Sequence, residues 1–367
     1  MLQVCAFGTE DRLEEPGHGA GEAGDEAWIG EVRRTLRSAA TDLFRPSPLR
    51  YWIDFAVSLV AAYAAGTLYL LSPLGSWQQL VAFPITTFWL YRLGSLVHEV
   101  CHLGEREMPG FKLAWNALAG IVILMPSPFF TRHHRDHHSR RYYGTPQDPE
   151  YVANWVEGGN PVSVLGYAFK IAIMPILVFL RFLVVPLTFV HPAVREWTLR
   201  HASALTFNRH YERRLTAADR RAILAVEIPC FVRALSIPLL VVLGVTPWTR
   251  IPLLYALALV TVALNQCRFL ADHHCAGDGS RVGMAAHIAD SCNFTGNDPL
   301  TLLFFPFSIR YHALHHLFPS LPYHNLRQAH EHLVSTLPAT SPYLTLDQPG
   351  WWSVARRTLL GPAIAAH

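Results

Sequence analysis

The sequence predicts an all-α integral membrane protein with four transmembrane helices, and three observations predict it. First, 51% of its 367 residues are apolar, only 16% are charged, and the mean hydropathy is +0.20. That is too greasy for an ordinary soluble domain of this size. Second, several apolar runs reach about 20 residues, the length needed to cross the hydrocarbon layer as a helix. Third, histidines recur in three clusters at three- and four-residue spacing, which stacks them on one helical face. The net charge of +3 is small. Arginine greatly outnumbers lysine and gathers between the apolar runs, which suits loops on the cytoplasmic side. No basic-aromatic pattern points to nucleic acid.

Residues 1–50 hold an acidic, glycine-rich stretch from Glu10 to Asp25 and then an arginine-bearing segment to Arg50. They read as a flexible leader and an amphipathic approach to the membrane, without the short apolar core of a signal peptide. Residues 51–337 read as the membrane domain and 338–367 as a C-terminal tail. Cys5, Cys101, Cys230, Cys267, Cys275 and Cys292 show no disulfide-framework spacing, which fits a reducing compartment. Cys101 reads as buried filler.

The first span is expected over Tyr51–Leu71 and the second from Trp77 to about Val97, joined by the tight turn Ser72–Ser76. The second span delivers His98 and His102 where it ends. Leu113 to Phe130 is apolar but short and broken by Pro126 and Pro128, so it reads as re-entrant or interfacial. A crossing there would separate the first two histidine clusters. Tyr142–Glu150 reads as a polar, turn-forming surface segment. Three further apolar stretches follow, at about 162–190, 223–245 and 251–270, and parity allows only an even number to cross. The first carries Lys170, Arg181, Pro175 and Pro186 and is assigned to the interface. The other two, linked by Thr246–Arg250, form a hairpin. The arginine-rich segment Arg195–Arg221 reads as a solvated helix.

The chemistry lies in His98-Glu-Val-Cys-His102, in Thr131–Arg141 (TRHHRDHHSRR) and in His312-Ala-Leu-His315-His316. His134, His137 and His138 share the HxxHH form with His312, His315 and His316. Eight histidines exceed what one four-coordinate ion uses, so two ions are the economical reading. Imidazole suits iron, copper, nickel and zinc alike, and spacing does not choose among them. Placed where membrane helices emerge, such a centre could act on a lipid chain. Oxidation of unreactive C–H bonds requires a redox metal, because no acidic proton or leaving group is present. His191, His201 and His210 lack ligand spacing. His324, His330 and His332, on an amphipathic helix over about Asn325–Leu337, read as solvated.

HEVCH, HHRDHH and YHALHHLFP, followed by Ser320-Leu-Pro-Tyr-His-Asn325, resemble the membrane fatty acid desaturase superfamily from about Tyr51 to Leu333. The resemblance implies four membrane helices beneath a cytosolic helical cap, with both termini and the histidine boxes on the cytoplasmic side. It implies two non-haem iron ions, with His98, His102, His134, His137, His138, His312, His315 and His316 as ligands. His133 could substitute for His134. A further ligand is expected from Arg268-Phe-Leu-Ala-Asp-His273-His274, with His273 favoured over His274 by the RxLxxH pattern of similar bacterial sequences. The NxxxH arrangement of animal acyl-CoA desaturases does not transfer, because Phe269 stands four residues after Asn265. Glu99, Asp136, Asp272 and Asp290 are candidates for orienting ligand imidazoles. Asp290-Ser-Cys-Asn293 resembles a segment of bacterial relatives, which adds Asn293.

The leading functional expectation is O2-dependent desaturation of a lipid acyl chain. The alternative inserts oxygen, as a hydroxylase or ketolase on a fatty acyl, sphingoid or carotenoid chain, and a remote third is a non-enzymatic metal-binding membrane protein. No cytochrome-like or flavin-binding segment is visible in the sequence. A separate electron donor of ferredoxin, flavodoxin or cytochrome b5 type, with its reductase, is expected.

Overall fold

The computed structural model describes residues 26–39, 41–206 and 208–361. The acidic stretch Glu10–Asp25 lies outside the described residues. Helix α1 (Ala27–Ala39) carries a stripe of Ile29, Val32 and Leu36, all buried. It packs against α13 (Tyr323–Thr336), in one core with Leu326, Ala329 and Leu333. Burying three such side chains stabilises this docking by roughly 1.5–3 kcal/mol each.

Helices α2 (Pro48–Leu71) and α3 (Trp77–His102) form an antiparallel hairpin. Its turn closes because Gly75 adopts a positive φ of 77° and Gln79 reaches back to it, accepting from the Gly75 amide at 2.8 Å and donating to the Tyr69 carbonyl at 3.2 Å. Ser76 caps α3 by accepting from the Gln79 amide. Among the long apolar helices α3 is the most buried, and its last turn presents His98 and His102. The short apolar stretch that follows does not form a long helix. It breaks into α4 (Pro109–Trp115), a π-helical turn over Asn116–Gly120 and α5 (Ser127–His137).

Among the described residues five helices, not four, are long and apolar enough to span: α2, α3, α6 (Pro161–Leu183), α8 (Ala217–Val242) and α9 (Arg250–Asp272). The additional one is α6, the stretch assigned to the interface from its charges and prolines. Both of its ends contact elements that adjoin the histidines. Before its start, the Gly159 amide donates to Leu359 O at 3.0 Å, in α14 (Trp351–Leu360). At its end, Phe182 packs on Phe129 with ring centroids 5.1 Å apart, and Arg181 donates to Ala202 O and Glu227. Phe129 belongs to the first turn of α5, and its carbonyl accepts from Leu205. Length and composition qualify α6 as a span, while contacts near both of its ends join it to the elements around the histidines.

The cap is assembled from short pieces. Helices α10 (Met284–Asp290), α11 (Pro299–Phe304), α12 (His312–Leu317) and α13 surround a minimal parallel pairing of β1 (Asn293–Phe294) with β2 (Asp347–Gln348). Gly296 is required beside this pairing, since a Cβ there would lie 1.8 Å from Pro349 O. Helix α14 packs on α9, with Trp351 Nε1 donating to Cys267 O at 2.7 Å. Helix α7 (Pro192–His201) overlaps the start of the arginine-rich segment, where Arg195 pairs with the fully buried Glu227.

Candidate metal centre

Four local structures aim histidines at one buried volume. Helical spacing puts His98 and His102 on one face of α3, and His134 and His137 on α5, with His138 as its C-terminal cap. Helix α12 is only six residues long, and its backbone is held by neighbours: Leu314 N donates to Asn293 Oδ1 and Ala313 N to Cys292 O, both at 3.1 Å. His273 follows α9 directly in extended conformation, bridging to Ser291.

The imidazoles fall into two sets. His98, His102, His134 and His315 bring ligand atoms within 4.8 Å of one another, and so do His137, His273, His312 and His316. His138 joins the first set, its Nε2 lying 3.1 Å from His134 Nε2 and 3.2 Å from His315 Nε2. In the second set, His273 Nε2 is 3.2 Å from both His137 Nε2 and His312 Nε2, and His312 and His316 approach to 3.0 Å. Nitrogens about 2.0–2.1 Å from a shared ion would stand roughly 3.0–3.4 Å apart, so these spacings fit ligand spheres. The buried Nε2 atoms of His98 and His102 have no hydrogen-bond partner, a costly state that an ion would relieve. Five imidazoles and four thus fit two ions.

The other ring nitrogens identify the supporting residues. Glu99 meets His98 Nδ1 at 3.1 Å as expected, and also accepts from the Tyr51 hydroxyl and the Tyr323 amide. Asp136 does not touch these imidazoles; it pairs with Arg132 and accepts from the Tyr211 hydroxyl. Asp272 faces Arg268 at 3.6 Å. Asp290 acts at one remove, accepting at 2.8 Å from the hydroxyls of Tyr143 and Tyr151, while Tyr143 oxygen also lies 2.8 Å from His273 Nδ1. Asn293 holds the backbone of α12.

Sequence reasoning missed Asp148, 2.8 Å from His137 Nδ1, and Glu150, 2.8 Å from His134 Nδ1. Both lie in the segment read as surface, where Tyr142, Tyr143, Asp148 and Glu150 are in fact buried. Two closely spaced carboxylates in a proline-punctuated turn just after a histidine box were the available signal. His287, 2.8 Å from His316 Nδ1, carried none.

The structure separates the ambiguous pairs. His134 enters the site, while His133 holds Phe129 O through Nδ1. His273 enters, while His274 turns to Cys292 and Arg357. His191, His201 and His210 are exposed. The solvated reading of His330 is overturned: it is buried against the Tyr343 hydroxyl at 2.9 Å, because α13 packs on both sides. His324 and His332 are half-buried. Cys101 points its thiol at His98 O and stays out of the site.

Burial, followed by mutual repulsion, holds His134, His138, His273, His312, His315 and His316 well below the usual imidazole range. They are neutral donors at physiological pH, as metal binding requires. Burial, the largest single influence, opposes protonation of His137 too, but Asp148 together with Glu150 and Asp272 outweighs it and raises that imidazole. Burial pushes the Glu150 carboxyl up to about 7. A cation in the site would draw it back to the carboxylate.

The fold and site define a helical membrane protein that closes nine histidines into two adjacent sets, each able to hold a metal ion. Residues 75–346 match the family described as fatty acid desaturase, and the chain belongs to that family. It is also 34% identical over 327 residues to the ceramide hydroxylase of Caulobacter vibrioides (strain NA1000 / CB15N), covering 87% of this chain and 90% of that protein. The chain is accordingly an oxidoreductase of the lipid desaturase and hydroxylase superfamily.

Proposed function

We propose that this protein is an O2-dependent, di-iron hydroxylase of ceramide or a closely related sphingolipid. One observation carries the reading: the similarity to a ceramide hydroxylase extends over nearly the full length of both chains. The motifs alone placed desaturation first and oxygen insertion second, and this relative supports oxygen insertion at least as well. Desaturation of an acyl chain remains the second reading, favoured by the family description.

Two irons would be held by His98, His102, His134, His138 and His315 and by His137, His273, His312 and His316. When bound they supply the oxidising power that converts a C–H bond, O2, two electrons and two protons into a C–OH group and water. Glu99, Glu150 and Asp148 fix the tautomers of His98, His134 and His137, leaving Nε2 of each free to ligate. The burial of all nine imidazoles, with His102 and His138 half-buried and the rest fully so, keeps bulk water from the reacting carbon. Electrons come from a separate ferredoxin-, flavodoxin- or cytochrome b5-like donor and its reductase. The histidine boxes and both termini are assigned to the cytoplasmic side, where such donors reside.

The test is mass spectrometry of sphingolipids and acyl lipids from a ceramide-containing host expressing the protein with a reductase system, with His315→Ala as control. A ceramide heavier by one oxygen supports hydroxylation. A product lighter by two hydrogens returns the assignment to desaturation.

A further inference from the structure

The two imidazole sets are supported by different chemistry. In the first, His98 and His134 each meet a carboxylate, Glu99 and Glu150. In the second, His137 meets Asp148, but His273 and His316 meet neutral groups. Tyr143 oxygen lies 2.8 Å from both His273 Nδ1 and Asp290 Oδ2. Its single proton goes to the carboxylate, which can only accept, so the phenol oxygen accepts from His273 Nδ1–H. Ser291 Oγ, 3.2 Å from the same nitrogen, is neutral too. His316, with Nε2 turned into the site, donates from Nδ1 to His287 Nε2 at 2.8 Å.

Tyr143 and His287 are one unit: their rings stack with centroids 3.5 Å apart and planes at 23°. Both are 1% exposed. The stack therefore bridges two ligands of the same set, fixing the tautomer and orientation of each without placing a charge on either. A carboxylate partner raises the basicity of a ligating imidazole, and a neutral partner raises it less.

We infer that the Tyr143–His287 stack is a positioning unit for the second ion and makes that ion the more weakly held and less electron-rich of the two. Its site has four imidazoles with one direct carboxylate, against five with two. The inference rests on the two-ion reading above, and loss of either stack member acts on one ion and spares the other.

The experiment uses full-length protein purified in detergent and loaded with 57Fe, in wild type, Tyr143→Phe, His287→Leu and His287→Gln. Iron release to a chelator is followed together with Mössbauer spectra. Wild type is expected to hold two irons and release them in two phases. Tyr143→Phe and His287→Leu are expected to weaken retention of the fast-leaving iron about 10- to 100-fold and to change one quadrupole doublet, with the slow phase and other doublet intact. His287→Gln, whose amide oxygen can accept from His316, is expected to recover most of the retention. The retained slow-phase iron reports that each variant is folded. Equal effects on both irons, loss of both together, or wild-type behaviour in both variants overturns the assignment. Fewer than two irons in wild type overturns the two-ion reading itself.

Discussion

Asp148 holds His137 from a fully buried position: its Oδ1 accepts from His137 Nδ1 at 2.8 Å, while its Oδ2 accepts from the Gly144 amide at 2.9 Å. Glu150 N also donates to Oδ1, at 3.0 Å. An unpaired carboxylate at this depth would cost several kcal/mol, a cost that these donors and the imidazole offset.

Asp148→Asn keeps the shape and removes the charge. It is expected to weaken retention of one iron about 10- to 100-fold and to lower activity in proportion. Iron content after dialysis against a chelator checks this, and unchanged retention would contradict the role of Asp148.

His273 and His274 are adjacent, yet only His273 faces the other imidazoles. His273→Ala is expected to lose one of two irons and all activity. His274→Ala, which disturbs only contacts to Cys292 and Arg357, is expected to keep both irons. His315→Ala should behave like His273→Ala, and a fully metallated, active His315→Ala protein would remove His315 from the ligand set.

Acid should destabilise the metal-free protein. The buried histidines stay neutral in the folded state well below their ordinary value of 6.5, whereas in the unfolded chain they take up protons there. The unfolded state then binds more protons, so stability falls as pH drops below about 6.5, by up to about 1.4 kcal/mol per pH unit for each such histidine. His137, raised by Asp148, opposes this trend. Thermal unfolding of metal-free protein in detergent should show a lower Tm at about pH 5.5 than at about pH 7.5. An equal or higher Tm at the acid pH would contradict the neutral burial.

The anchoring of α6 predicts an even number of crossings between His138 and His273. Single cysteines at Arg141 and Val190 should react with a membrane-impermeant thiol reagent from one face, and cysteines at Leu74 and Val245 from the other. Labelling of Val190→Cys from the face shared by Leu74→Cys would show that α6 crosses.

Much of the site was legible because its histidines obey local geometry. Spacings of three and four residues place His98 with His102, His134 with His137 and His138, and His312 with His315 and His316, whatever the rest of the chain does. The apolar runs fixed α2, α3, α8 and α9 in the same local way. They did not show how α6 is tied to the rest of the protein, because that depends on contacts of Arg181 and Phe182 with Glu227, Ala202 and Phe129, made far away in sequence.

By itself the sequence determined the helical membrane class, the three histidine boxes and the expectation of two ions, since each follows from periodicity, composition or ligand count. Only the tertiary structure decided how nine imidazoles divide into five and four, why His273 and not His274 enters, and which groups stand behind them. Asp148, Glu150, Tyr143 and His287 reach their imidazoles across 11, 16, 130 and 29 residues respectively. No periodicity links positions so separated; only the packing of the cap on α5 and α9 brings them within 2.8 Å. The same packing buries His330 and the Tyr142–Glu150 turn, whose polar composition reads as surface until the residues that cover it are in place.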